Sequence, residues 1–187
     1  MLTIPGLVGE FRKELIAASY PELLPSEYIN VVPAHVPRLR SFLQESFRMH
    51  VISSSIREVL EPTQLSIDDK KWRLEKGAVV NLQSSLLHSD ESTHPQAKQF
   101  KPWRFLEPAL GGDGENPTKG VKPFGGGTSY CPGRVFAEKQ IIGFLAAMIM
   151  RYDINIVSKN IEIPSNSNFE YVAKCPPILL ELKKRVA

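Results

Sequence analysis

The chain has 187 residues, 42% of them hydrophobic, which is enough for one globular domain with an apolar core. Its formal charge of +3 includes no basic block interleaved with aromatics, so there is no case for nucleic acid. Two cysteines build no disulfide framework, Met1-Leu2-Thr3-Ile4-Pro5 lacks the basic region of a signal peptide, and the apolar run 141–150 is too short to span a bilayer. The reading is therefore a reducing compartment by default, no membrane segment in this chain, and no assigned location.

Residues 5–17 read as an amphipathic helix, with Leu7, Val8, Phe11 and Leu15 at helical spacing between charged residues. The stretch 20–37 is a connector broken by Pro21, Pro25, Pro33 and Pro37. A second helix is predicted over 38–50, burying Leu39, Phe42, Leu43 and Phe47. On it Glu45 and Arg48 are three apart and share a face. They make either a surface ion pair or, together with Arg104, a buried cluster in which each charge demands the others.

Residues 51–60 read as a strand around Ser53-Ser54-Ser55, and 72–82 as a hairpin turning at Glu75-Lys76-Gly77, with Asp68-Asp69-Lys70-Lys71 a solvated turn. A short helix is expected at 84–89. His88 and His94 are six apart, which suits no metal pair on one helix face, so both are read as surface residues. Residues 91–123 lack periodicity and are rich in Pro and Gly, which marks a long loop.

The stretch Phe124-Gly-Gly-Gly-Thr-Ser-Tyr-Cys131-Pro-Gly-Arg134 presents one thiol on a glycine-rich loop. Pro132 suits the first position of a helix over 132–150, with Cys131 at its N-cap, where the dipole favours a thiolate. That helix is apolar around most of its circumference and is expected to be buried on nearly all sides. A phosphate loop would need a following Gly-Lys-Ser/Thr, and zinc would need more Cys or His nearby. A Cys–His nucleophile has no local signature, and an inert cysteine in a turn is the plain alternative. One axial thiolate to haem iron fits best, because the backbone can lie flat on a macrocycle and Phe124 can shield the sulfur. The tail reads as strands at 152–157 and 177–182, with Cys175 a buried structural thiol.

Phe124-x-x-Gly127-x-x-x-Cys131-x-Gly133 resembles the haem-binding signature of the cytochrome P-450 family. Glu45-Ser-Phe-Arg48 resembles its Glu-x-x-Arg motif, and Phe100-Lys-Pro-Trp-Arg104-Phe105 its arginine-bearing segment, in the family's order. The resemblance implies a mainly α fold with small β-sheets, the C-terminal half of that fold. As one partial domain over 1–187, it divides into a helical segment at 5–50, a β-hairpin region at 51–90, a meander and thiolate loop at 91–134, and a core helix with a β unit at 135–187. It implies haem held by Cys131, with Phe124, Gly127, Gly133 and Arg57 in the binding site, Arg57 facing a propionate. It also implies a structural triad of Glu45, Arg48 and Arg104, and places Tyr171 and Val172 near substrate.

The implied activity inserts one oxygen atom of dioxygen into a small lipophilic substrate, using electrons from a reductase met through Lys119, Lys122, Arg134 and Lys139. The finer sequence details look most like fungal biosynthetic members. Ser129 departs from the family, which often places Arg or His there. The family's central oxygen-activating helix, distal roof and membrane anchor have no counterpart, so a truncated, non-catalytic remnant with weak haem binding is the alternative. A reductase-independent isomerase or dehydratase ranks below both.

Overall fold

Apolar residues every third or fourth position dictate the first helix and its buried stripe. In the computed structural model, which describes residues 4–20, 25–116, 120–158 and 177–185, α1 (Leu7–Ala17) buries Leu7, Phe11 and Leu15. Two 3₁₀ segments, Pro25–Asn30 and Pro33–His35, fill the proline-broken connector and lead into α2 (Pro37–His50). Leu39, Phe42, Leu43 and Phe47 of α2 join α1 in one core. Phe11 meets Phe42 and Trp103 edge-on at 5.4 and 5.7 Å, an arrangement worth about 1 kcal/mol per pair beyond area burial.

α1 is also pinned at the polar level. Pro37 opens α2 with no side-chain cap of its own, and the Glu14 carboxylate accepts the Arg38 and Leu39 N–H groups at 2.8 and 3.1 Å instead. Burial raises the Glu14 pKa, against the lowering effect of those two bonds. Two residues earlier, Arg12 donates to the Ile149 and Tyr152 carbonyls at 3.0 and 3.2 Å, closing the C-terminus of α4 (Arg134–Arg151).

The strands form three two-stranded antiparallel sheets. β1 (Ser54–Glu58) pairs with β4 (Val79–Gln83), and β2 (Thr63–Ile67) with β3 (Lys70–Leu74), so one hairpin is nested inside another pairing. This corrects the expected hairpin over 72–82. The turn lies at Asp68-Asp69, with Asp68 at φ 51°, and Thr63, Leu65 and Ile67 supply the alternation of the missed strand. Gly77, at φ 83°, donates to the Val59 carbonyl at 2.8 Å and steers the chain towards β1 rather than back along β3. α3 (Ser84–His88) follows directly, and β5 (Tyr152–Ile156) pairs with β6 (Leu180–Lys184).

α4 departs from expectation in two ways. It starts at Arg134, because Pro132 and Gly133 form a turn in which the Arg134 N–H reaches the Cys131 carbonyl at 3.4 Å; the first α-type bond runs from Ala137 to Gly133. Cys131 therefore stands three residues before the helix, and Gly133 is the N-cap. α4 is also buried along one stripe only, Ile142, Ala146 and Ile149. Val135, Phe136 and Phe144 are 55%, 64% and 63% exposed, because α1, α2 and the Pro25–Asn30 segment pack on a single flank. No helix among the described residues is long and apolar enough to cross a membrane. Lys119, Tyr171, Val172 and Cys175 lie outside the described residues.

Candidate functional site

The face shared by Glu45 and Arg48 on α2 points into the protein, and the structure brings Arg104 onto it. Glu45, Arg48 and Arg104 are 0%, 3% and 0% exposed. One Glu45 oxygen accepts from Arg48 Nε at 2.7 Å and Arg104 Nε at 3.0 Å; the other accepts from Arg48 Nη2 and the Lys101 backbone N–H, both at 2.9 Å. Each guanidinium also donates to backbone carbonyls. Arg48 Nη1 reaches His88 at 2.6 Å, and Arg104 reaches Pro95, Gln96 and Gln99 at 2.7, 3.2 and 3.1 Å. Full satisfaction of this kind is what allows three charges to stay out of water.

Glu115 and His94, the latter expected at the surface, complete the cluster. Glu115 accepts from Arg104 Nη1 at 2.8 Å, and its second oxygen faces His94 Nδ1 at 2.8 Å. Burial works against the charge on Arg104, and its bonds to Glu115 and Glu45 raise its pKa regardless. His94 and His88 are 1% and 2% exposed, which corrects their reading as surface residues. The loop folds back because Gly112 sits where a Cβ would lie 2.1 Å from the Leu106 carbonyl oxygen, while Gly120 lies flat against the His94 ring. Side-chain burial in a loop depends on such long-range closure, and no local spacing announces it.

His88 accepts the Lys122 backbone N–H on Nε2 at 2.8 Å. Burial, with His94 and Arg48 adding to it, lowers its pKa from 6.5 to about 4. The unfolded chain therefore binds a proton that the folded chain refuses. Stability conferred by neutral His88 is complete above pH 6.5 and is lost as pH falls towards 4, by at most about 3 kcal/mol. Unfolding midpoints of wild type and His88→Gln between these limits check this. The wild-type midpoint should fall more steeply with acid than that of the variant.

The thiol loop is closed at its neck by the Cys131 N–H donating to the Phe124 carbonyl at 3.1 Å. Gly125 and Gly127, at φ 76° and 64°, turn the chain between these two residues, as only glycine does readily. A Cβ on Gly126 or Gly127 would meet nothing within 4 Å, so one face of the loop is open, and one on Gly133 would lie 3.8 Å from the sulfur. Cys131 is half-buried. Phe124 sets its ring edge-on to Phe47 at 5.4 Å, fastening the loop to α2, while Arg134 lies over the Tyr130 ring and donates to the Cys131 carbonyl at 3.1 Å. Arg57 reaches across from β1 to Ser129 Oγ at 3.1 Å.

Ser55, Arg57, Leu82, Leu86 and Gly125–Thr128 border a cavity of about 860 Å³. A flat open backbone, a half-buried sulfur at the neck and a cation beside a hydroxyl are the donors a planar macrocycle with anionic edge groups requires. The residues present fit haem. No cluster of three or more metal-binding side chains occurs among the described residues.

The family model described as Cytochrome P450 matches residues 33–182. Cytochrome P450 monooxygenase poxD of Penicillium oxalicum is 44% identical over 186 residues, covering 100% of this chain and 38% of that protein. Cytochrome P450 7A1 of Oryctolagus cuniculus is 30% identical over 135 residues, covering 69% of this chain and 27% of that protein. A solved structure described as retinoic acid bound cyanobacterial CYP120A1 shares the fold, with a TM-score of 0.69 at 24% identity, over 96% of this chain and 39% of that one. The chain thus spans 38% and 27% of the length of these two relatives.

Proposed function

The chain belongs to the cytochrome P450 family, and on that premise we propose that it is the haem-thiolate portion of a monooxygenase acting on a small lipophilic substrate. The observation that carries this reading is the half-buried Cys131 at the neck of an open glycine loop, with Arg57 and Ser129 converging beside it. Haem, when bound, would supply the oxygen chemistry: one atom of dioxygen enters the substrate and the other leaves as water, taking up two electrons from a reductase and two protons. The protein's part is to hold and orient.

Cys131 would hold the haem iron through its sulfur. Gly127 and Gly133 would leave room beside it for the macrocycle, Phe124 anchors the loop, and Arg57 with the Ser129 hydroxyl would receive a propionate. Glu45, Arg48 and Arg104 fix α2 against the segment 95–104, so that the loop rests on a rigid floor. Leu82 and Leu86 give the adjoining cavity the apolar character that a lipophilic substrate requires. Lys122, Arg134 and Lys139 place positive charge around the loop for an acidic reductase surface. The segments 5–50, 51–90, 91–134 and 135–187 serve this one domain as helical floor, β region, thiolate loop and core helix with its β unit.

The test is isotopic. The haem-loaded chain is given an electron donor, labelled dioxygen and a panel of lipophilic substrates. The expected result is one labelled oxygen atom in the product and the other in water. Label entering the product from water overturns the reading, and absence of turnover with every substrate favours the remnant.

A further inference from the structure

His88 touches both the buried ion cluster and the entrance to the thiol loop. Its carbonyl takes Arg48 Nη1 at 2.6 Å, and its ring nitrogen Nε2 takes the Lys122 N–H at 2.8 Å. The Lys122 carbonyl, on the other side of the same residue, accepts Ser53 Oγ at 2.7 Å and the Gly125 N–H at 3.3 Å. Ser53 is itself held by α3, donating its N–H to Ser84 Oγ at 2.8 Å and accepting the Ser84 N–H at 2.9 Å. Lys122 is thereby clamped at both backbone polar groups just before the chain enters the Phe124–Cys131 neck.

We propose that His88 is a positioning residue for Cys131: its neutral ring sets the backbone at Lys122, and through it the height and tilt of the loop that presents the sulfur. The contact requires a lone pair on Nε2, so the proton of the neutral ring resides on Nδ1. A buried site keeps the ring in that form at neutral pH, because the charged form is poorly solvated there. Among its neighbours the backbone groups of Val51 and Arg48 favour the charged form, and burial outweighs them. Arg48 from α2 and His94 from the following loop both oppose a second positive charge. An imidazole linking the cluster to the loop couples the two parts on which the proposed haem site depends.

This inference rests on the Cys131 reading, and its test separates the two. Wild type, His88→Leu, His88→Gln and Ser53→Ala are prepared in a Cys175→Ala background. Haem-free Cys131 is alkylated with iodoacetamide well below each unfolding midpoint. The hemin-loaded forms are reduced under carbon monoxide to measure the fraction with a thiolate-type Soret band. His88→Leu should speed alkylation about tenfold, the effect of losing one buried hydrogen bond, and lower the thiolate-type fraction. His88→Gln, whose amide oxygen can accept the Lys122 N–H, should restore both towards wild type.

Ser53→Ala, which removes a partly exposed bond to the same residue, should move both in the direction of His88→Leu by less. It also decides the matter if His88→Leu does not fold. A His88→Leu protein, or failing that a Ser53→Ala protein, with unchanged alkylation and an unchanged thiolate-type fraction overturns the proposal. So does a His88→Gln protein that behaves like His88→Leu. If wild type shows no thiolate-type band, the Cys131 assignment fails, and the alkylation rates alone still decide whether His88 positions the loop.

Discussion

Glu45→Gln is expected to destabilise the chain by about 3–5 kcal/mol, a large part of the stability of a domain this size. The substitution keeps the shape and removes the charge. Arg48 and Arg104, 3% and 0% exposed, would then face each other across a neutral amide. Arg104 keeps Glu115 at 2.8 Å, so the penalty falls mainly on Arg48, which among the described residues is otherwise held by the His88 and Gln99 carbonyls and the Met49 sulfur. The cluster also joins α2 to the loop through the Lys101 N–H and through Ser41, which donates to the Pro102 carbonyl at 2.8 Å and accepts the Phe105 N–H at 3.2 Å.

Loss of Glu45 should therefore loosen residues 95–105 before the rest of the chain. Chemical denaturation measures the first effect and amide exchange the second. Glu10→Gln, which breaks the exposed pair with Lys13, should leave the midpoint where it was. A shift for Glu45→Gln below about 1 kcal/mol would mean that the cluster is not the floor of the site.

What the sequence revealed divides along physical lines. α1 and α2 were legible because Leu7, Phe11 and Leu15, and Leu39, Phe42 and Leu43, fall at helical spacing and bury one stripe each. β2 was passed over although Thr63, Leu65 and Ile67 alternate, because every residue of it is exposed and its pairing depends on the turn at Asp68. α4 is less buried than its sequence predicts: an apolar helix advertises which residues could be covered, while coverage depends on the neighbours, and here they occupy one flank.

In the site, the motif residues Glu45, Arg104, Phe124 and Cys131 stood out by fixed spacing. His88, His94 and Glu115 did not, since only closure of a loop rich in glycine and proline brings Glu115 to Arg104 across 11 positions and Lys122 to His88 across 34.

Cys131→Ser carries the second large effect. The side chain is half-buried, and the neck of its loop is held by backbone bonds, so the fold should survive the change. What disappears is the sulfur, a far better iron ligand than a neutral serine hydroxyl. Haem affinity should drop at least tenfold, leaving Arg57, Ser129 and apolar contact to retain what binds.

The measurement is the absorption spectrum of the hemin-loaded chain, reduced under carbon monoxide, for wild type and Cys131→Ser side by side. The account predicts a thiolate-type Soret band in wild type and none in the variant. Equal hemin binding and the same spectrum in both would contradict it.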